Sequence, residues 1–203
     1  MKKEEILTKY PVLLRQEKNI QKYIDSIIQY NTHTNLVGKS TLTDPWSKHI
    51  LDSLQIISFI KNKNHSILDM GTGAGLPGVV LSIAGYKNVS LVDSNGKKIK
   101  FLKTIKNNLG LNLNIISSRL EKLHDIKFDI ITSRALAKLS ILFGYSQNFV
   151  KKNTVLIFLK GKTVNEEIVE AKKNWKFKFQ KHQSVSDSRG VILVIRRLSK
   201  TND

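Results

Sequence analysis

Ile67-Leu68-Asp69-Met70-Gly71-Thr72-Gly73-Ala74-Gly75-Leu76-Pro77-Gly78 is the stretch that decides the fold. An apolar run that gives way to closely spaced glycines reads as a strand ending in a loop that opens a helix. Such a loop turns backbone N–H groups and a positive helix end toward a ligand, with no Cβ to block the approach. Gly73, Gly75 and Gly78 also satisfy the GxGxxG dinucleotide fingerprint, so the spacing alone leaves NAD open. Asp69 argues against it, because a carboxylate two residues before the first glycine would only repel a pyrophosphate. It suits a cationic ligand such as the ammonium of a methionine moiety. Val92-Asp93-Ser94 follows about twenty residues on, where a carboxylate can accept hydrogen bonds from both hydroxyls of a ribose. The plainer alternative makes Asp69 a helix cap and Asp93 a turn residue.

Outward from this loop, short β-branched runs alternate with helical patterns. The runs are 66–70, 89–93, 113–117, 128–133 and 155–160, and the helical patterns 79–85, 96–109, 137–150 and 163–173. That rhythm predicts a parallel sheet covered on both faces. Two last runs, 175–181 and 190–197, are joined without a helix and must pair antiparallel, since a parallel connection needs a crossover. Ahead of residue 65 the spacing is helical, with a second helix announced by Asp44-Pro45 and carried through Trp46, His49, Ile50, Leu51 and Leu54. The expected organisation is an N-terminal helical cap over 1–64 and a Rossmann-like α/β domain over 65–203. Its sheet is seven-stranded and mostly parallel with an antiparallel final strand. Three glycines, Asp69, Asp93 and that final strand pair together favour a class I methyltransferase that uses S-adenosylmethionine.

Composition sets the outer limits. The chain has 203 residues, and 34 Lys and Arg against 16 Asp and Glu give a formal net charge of +18. That excess favours a polyanion, nucleic acid before a membrane surface, although a Lys-, Ile- and Asn-rich composition also follows from biased codon usage. There is no cysteine, which removes disulfides, thiolate metal sites and thiol nucleophiles. His33, His49, His65, His124 and His182 lack metal-ligand spacing, so no metal is expected. The charged N-terminus, broken by Pro11, lacks the apolar core of a signal peptide, and no segment approaches the ~18 apolar residues of a spanning helix. A cytoplasmic protein is expected, and a monomer, since nothing in the sequence demands otherwise.

The stretches GTGAGLPG (71–78), LVDSNGKKIKFL (91–102), SSRLEKL (117–123), FDIITSRALAKL (128–139) and FLKG (158–161) resemble the bacterial glucose-inhibited division protein B family. The likeness reaches back to NTHTNLVG (31–38) and WSKHILDSL (46–54), and so covers nearly the whole chain. The family methylates N7 of a guanine in small-subunit (16S) ribosomal RNA. The resemblance therefore implies S-adenosylmethionine as cofactor and 16S rRNA or the small ribosomal subunit as partner, and it places cofactor positions on Gly71, Leu76, Leu120, Glu121 and Arg134. Lys48 stands where the family often has Arg, and Val37-Gly38 where it usually has Thr-Ser.

Chemistry narrows the candidates further. N7 of guanine carries a free lone pair, so no general base is required and the residues that position the reactants are the catalytic ones. Cofactor-binding candidates are Asp69, Gly71, Gly73, Gly75, Leu76, Asp93, Ser94, Leu120, Glu121 and Arg134; positioning candidates are Arg134, Asn35, His49 and Lys160. An Arg paired with O6 and N7 of guanine would block the reacting atom, so Arg134 is expected to bind the cofactor carboxylate or orient the pocket. A structural ion pair is its alternative. His49 and Asp52 share a helix face and clip the helices to the core, or else Asn35, His49 and Ser53 line the mouth that meets RNA. Lysines of the N-terminal helices, of the 97–103 run and at 160 and 162 are expected on phosphates, the plainer reading being a solvated helix face. Another RNA as substrate, a noncatalytic RNA-binding or assembly factor, and an NAD-dependent oxidoreductase remain as rival functions.

Overall fold

In the computed structural model, which describes residues 1–201, seven strands form one sheet. They are β1 (Ser66–Met70), β2 (Asn88–Asp93), β3 (Leu113–Ser117), β4 (Ile130–Arg134), β5 (Val155–Lys160), β6 (Trp175–Gln183) and β7 (Val191–Lys200). Their spatial order is β3-β2-β1-β4-β5-β7-β6. The pairs among β1 to β5 are parallel, whereas β7 runs antiparallel to β5 on one side and β6 on the other. The order reverses at β1, which leaves a crevice beyond the carboxyl ends of β1 and β4, the usual ligand position in open α/β sheets.

Alternation along each strand builds two cores. Ile67, Leu91, Ile157 and Val194 face one side; Leu68, Met70, Ile131, Phe158 and Leu193 face the other. On the first side pack α1 (Lys3–Lys9), α2 (Glu17–Tyr30), the helical run from Trp46 to Phe59, α4 (Gly78–Ile83) and α5 (Gly96–Asn108). That run encloses α3 (Asp52–Leu54), preceded by a π-helical segment Trp46–Leu51 and followed by a 3₁₀ segment Gln55–Phe59. On the second side lie α6 (Leu139–Ser146) and α7 (Val164–Ala171), where Phe143 stands edge-on to Trp175 and Phe177.

The N-terminal helices share a core with the sheet instead of sitting apart from it. Ile20, Tyr23 and Ile27 of α2 are buried in the cluster that holds Val79 and Phe101. Fully burying side chains of this size is worth about 1.5 to 3 kcal/mol each, which fixes α2 firmly against α4 and α5 on that face of the sheet. Asp44 does cap the second helical run, its Oδ1 accepting from Ser47 N at 3.1 Å. The body of that run is not one α-helix, however, and its π turn carries Lys48 and His49, a distortion that recurs at functional sites. The fourth strand ends one residue later than expected, so Arg134 closes β4.

Candidate active site

The glycine loop is held from beneath by Asp69. This carboxylate is fully buried, and Oδ2 accepts from the Thr72 hydroxyl and from Gly78 N at 2.9 Å, while Oδ1 accepts from Thr132 Oγ1 at 3.2 Å. Burial pushes its pKa up to about 6 against the pull of those donors, so it is charged at neutral pH. Asp69 therefore does not meet a ligand ammonium: it braces the loop, close to the plainer capping role. It also answers the dinucleotide reading, because the N–H that opens α4 is already taken by a buried anion where a pyrophosphate would need it.

Asp93 plays the complementary part from above. Its Oδ2 accepts from Gly73 N at 3.0 Å and its Oδ1 from Asn95 N at 2.8 Å, yet the side chain stays half-buried at the edge of a cleft. Each oxygen keeps a further lone pair for a hydroxyl donor. Gly71, at φ +63°, turns the chain so that its bare Cα faces Leu136, whose Cδ1 would lie 2.5 Å from any Cβ. Gly75 is different: it lines no cleft, and its missing side chain makes room for Val79 and Leu102. Its expected contact with a cofactor is replaced by a packing role.

Three adjoining clefts meet at Ala135, a non-glycine residue at φ +53°. The first, of about 430 Å³, runs from the glycine loop at Gly71 and Leu76 to His49, Lys98 and Arg134. A second, of about 410 Å³, lies between Arg134, Asp52, Lys162 and Arg189. The third, of about 380 Å³, joins Gly71 to Asp93, Ser94, Leu120, Glu121 and Leu136.

Arg134 is the junction between the first two. Its Nη1 donates to Asp52 Oδ2 at 2.9 Å and to the Lys48 carbonyl at 3.1 Å, and its Nη2 lies 3.3 Å from His49 Nδ1. A guanidinium only donates, so Nδ1 must be the acceptor and Nε2 must carry the imidazole proton. Nε2 then donates to Thr41 Oγ1 at 2.9 Å, and Thr41 donates to the Gly38 carbonyl at 2.6 Å. Burial, with Arg134 adding to it, lowers the pKa of His49 to about 4 and keeps the ring neutral. Asp52 also accepts from Gln55 Nε2 at 2.9 Å and from the Ser186 hydroxyl, and Gln55 Oε1 accepts from Val185 N at 2.9 Å. Strand β4, the π turn and the loop between β6 and β7 are thus tied at one point. Of the five guanidinium N–H groups, two remain for the clefts.

One positioning candidate is tied up within the fold, and two residues expected at the RNA-facing mouth sit elsewhere. Lys160 does line the second cleft, but its Nζ is 2.6 Å from Glu167 Oε2 and donates to the Ala137 carbonyl at 2.9 Å, so its charge is engaged in holding α7 to β5. Asn35 is exposed and outside the cleft walls, which are formed by its neighbours Leu36, Val37 and Gly38. Ser53 is fully buried and donates to the His49 carbonyl at 2.7 Å, so it lines no mouth. Sequence reasoning missed Tyr23, whose hydroxyl donates to the Ala74 carbonyl at 2.8 Å and ties α2 to the glycine loop. It also missed Asn31, whose Oδ1 accepts from Leu36 N and Val37 N and shapes the roof of the first cleft. Gln55, one turn beyond Asp52, is the sole one of these with a positional signal.

The chain is similar to known proteins over most of its length. The GidB family model, rRNA small subunit methyltransferase G, matches residues 16–195. Relatives named ribosomal RNA small subunit methyltransferase G include one from Rickettsia prowazekii (strain Madrid E), 41% identical over 86% of this chain and 90% of its own length. Another, from Paramagnetospirillum magneticum (strain ATCC 700264 / AMB-1), is 33% identical over 97% and 96%. Among solved structures, a ribosomal protein L11 methylase from Lactobacillus delbrueckii subsp. bulgaricus superposes with a TM-score of 0.60 at 21% identity, over 71% of this chain and 76% of that one. The PH0226 protein from Pyrococcus horikoshii OT3 gives 0.63 at 14% identity, over 82% and 95%. At such identities the structural likeness speaks for the fold alone, a Rossmann-like sheet. The sequence match reaches from the N-terminal helices to the last core strand, and on that extent the chain belongs to the rRNA small subunit methyltransferase G family.

Proposed function

We propose that this protein methylates N7 of a guanine in small-subunit ribosomal RNA, with S-adenosylmethionine as methyl donor. The observation that carries the reading is the meeting of three clefts at Ala135, between a braced glycine loop and an anchored arginine, with a cationic wall on the outer side. The residues fit the cofactor: Asp93 and Glu121 offer acceptors for hydroxyl groups, Leu120 and Leu136 offer an apolar surface for a ring, and the cleft at Gly71 leaves room for close approach. When bound, S-adenosylmethionine supplies an electrophilic methyl group on a sulfonium.

The protein's own task is alignment. Asp69 and Asp93 hold the glycine loop from both sides, and the two remaining donors of Arg134 point to a carboxylate group in the first cleft. Lys162 and Arg189 in the second cleft suit the phosphates that flank an unstacked base. Guanine N7 needs no proton removed, and His49, neutral and hydrogen-bonded through both nitrogens, orients Arg134 rather than taking a proton. Well-aligned reactants can account for roughly 7 to 11 kcal/mol of barrier lowering.

Transfer from labelled S-adenosylmethionine to unmethylated small-subunit particles and to their stripped rRNA, with nucleosides identified by mass spectrometry, tests this reading. The expected product is 7-methylguanosine. Cofactor binding without label in either substrate would discard the ribosomal target, and no binding at all would favour a noncatalytic RNA-binding factor.

A further inference from the structure

At the opposite end of the sheet from the cofactor clefts lies a fourth cavity, of about 570 Å³, between Lys151, Lys152, Asn153, Arg197 and Ser199. Strand β5 runs from this cavity to the catalytic end and spans roughly 20 Å, so the two sites are separate. Its most unusual member is Arg197. The register shifts from Lys176 opposite Ser199 to Lys178 opposite Arg196, which leaves Arg197 and Leu198 facing Phe177 alone. Arg197 takes the first position of this bulge at φ +56°, a conformation that bulges of this kind normally give to glycine. A long cation is thus kept at a strained backbone position, exposed, with its residue forming the cavity wall.

Charge deepens the anomaly. Lys178 stands directly opposite Arg196 on the neighbouring strand, a like-charge pair that disfavours the isolated fold. Lys151 is paired with Asp129 at 2.6 Å, but Lys152, Arg196 and Arg197 have no ion-pair partner among the described residues. Lysines on an exposed edge strand have a plain role in preventing sheet-to-sheet association, and that covers Lys176 and Lys178 on β6. Arg197 lies on β7 two residues past the end of its pairing with β5, which stops at Leu156 opposite Ile195, and its bulge position makes it costlier to keep there than a lysine in regular strand.

We infer that this cavity is a second RNA-binding site, in which Arg197 and Lys152 hold the phosphodiester backbone of an rRNA segment remote from the target base. The inference rests on rRNA being the substrate, and it adds a contact that engages the folded RNA instead of the reacting nucleotide. Phosphate neutralisation at this end carries no sequence information; it sets affinity and register on a large RNA.

The test compares the wild-type protein with R197G, R197K and Lys152→Ser by their affinity for full-length small-subunit rRNA across salt concentrations. Tm and S-adenosylmethionine affinity are read on the same samples. R197G relieves the backbone strain while removing the cation, so Tm is expected to rise by about 2 °C. RNA affinity is expected to fall about three- to tenfold, with the slope of log K against log salt smaller by about 1 and cofactor affinity unchanged. R197K should retain most of the affinity, and Lys152→Ser should lose a similar share without a change in Tm. Unchanged RNA affinity and salt slope in R197G would overturn the site. So would loss of binding to phosphatidylserine vesicles in place of loss on RNA. These readouts do not depend on methyl transfer, so a failure of the proposed reaction would be seen separately.

Discussion

The turn after β1 and the junction after β4 reach the same crevice by opposite means. Asp69 is bonded to Thr72 and Gly78, within nine residues of itself, and to Thr132 on the adjacent strand, wholly inside the core. Arg134 is bonded to Lys48, His49 and Asp52, more than eighty residues away, and through Asp52 to Ser186. The first arrangement makes the loop part of the folding core, so it cannot be loosened without cost to the whole domain. In the second, elements far apart along the chain meet at a half-buried ion pair, where a change should alter alignment more than stability.

Asp69→Ala probes the first region and should have the largest effect. Two buried donors, the Thr72 hydroxyl and Gly78 N, lose their acceptor and Thr132 is left with the Leu68 carbonyl alone, for an expected cost of about 3 kcal/mol in urea denaturation, together with loss of measurable cofactor binding. A variant of near wild-type stability would show that the loop is not braced from beneath. R134K probes the second. One ammonium cannot serve the Lys48 carbonyl, Asp52 and His49 together, so kcat/KM should fall about a hundredfold and cofactor affinity about tenfold, with the fold intact. Unaltered cofactor affinity by calorimetry would remove Arg134 from that site.

Gln55→Leu sharpens the contrast further out. The loop from Ser184 to Arg189 loses its clasp, so KM for rRNA should rise several-fold at unchanged cofactor affinity, with about 1 to 2 kcal/mol lost in stability. A change in cofactor affinity instead would place the loop's influence in the wrong cleft.

A pH dependence bears on the same junction. His49 stays neutral in the fold down to about pH 4, whereas a free imidazole titrates near 6.5. Its contribution to stability is therefore intact above 6.5 and lost as pH falls toward 4. Asp69, raised to about 6, acts in the opposite sense and loses its contribution as pH rises from about 4 to 6. H49Q removes the first slope and leaves the second. The stability gap between wild type and H49Q should thus narrow as urea midpoints are taken from pH 6.5 down to about 4.5; a constant gap would mean His49 is not held neutral.

The same contrast separates what the amino-acid sequence makes legible from what it hides. The β1 turn is written in consecutive residues, and its strand, glycines and helix appear where Ile67 to Gly78 place them. Even there, the spacing reveals a carboxylate without revealing which way it faces: Asp69 points into the core and Asp93 to the cleft edge. The last strand pair is legible because QSVSDSR is too short for a crossover, yet the insertion of β7 between β5 and β6 is not. Lys160 reads as a free cation because Glu167 lies on the following helix, and the bond joining them forms only after α7 has packed on β5. Tyr23, Gln55 and Ser186 have partners far along the chain, brought to them by topology alone.

Catalysis by alignment, with no group that takes a proton, is the central claim, and the pH profile of single-turnover methyl transfer tests it most directly. With saturating cofactor and small-subunit rRNA, the rate constant from about pH 7 to about pH 8.5 is expected to be flat, because His49 titrates near 4 and guanine N7 needs no deprotonation. A rate that climbs about tenfold per pH unit through this range would contradict the claim and require a general base.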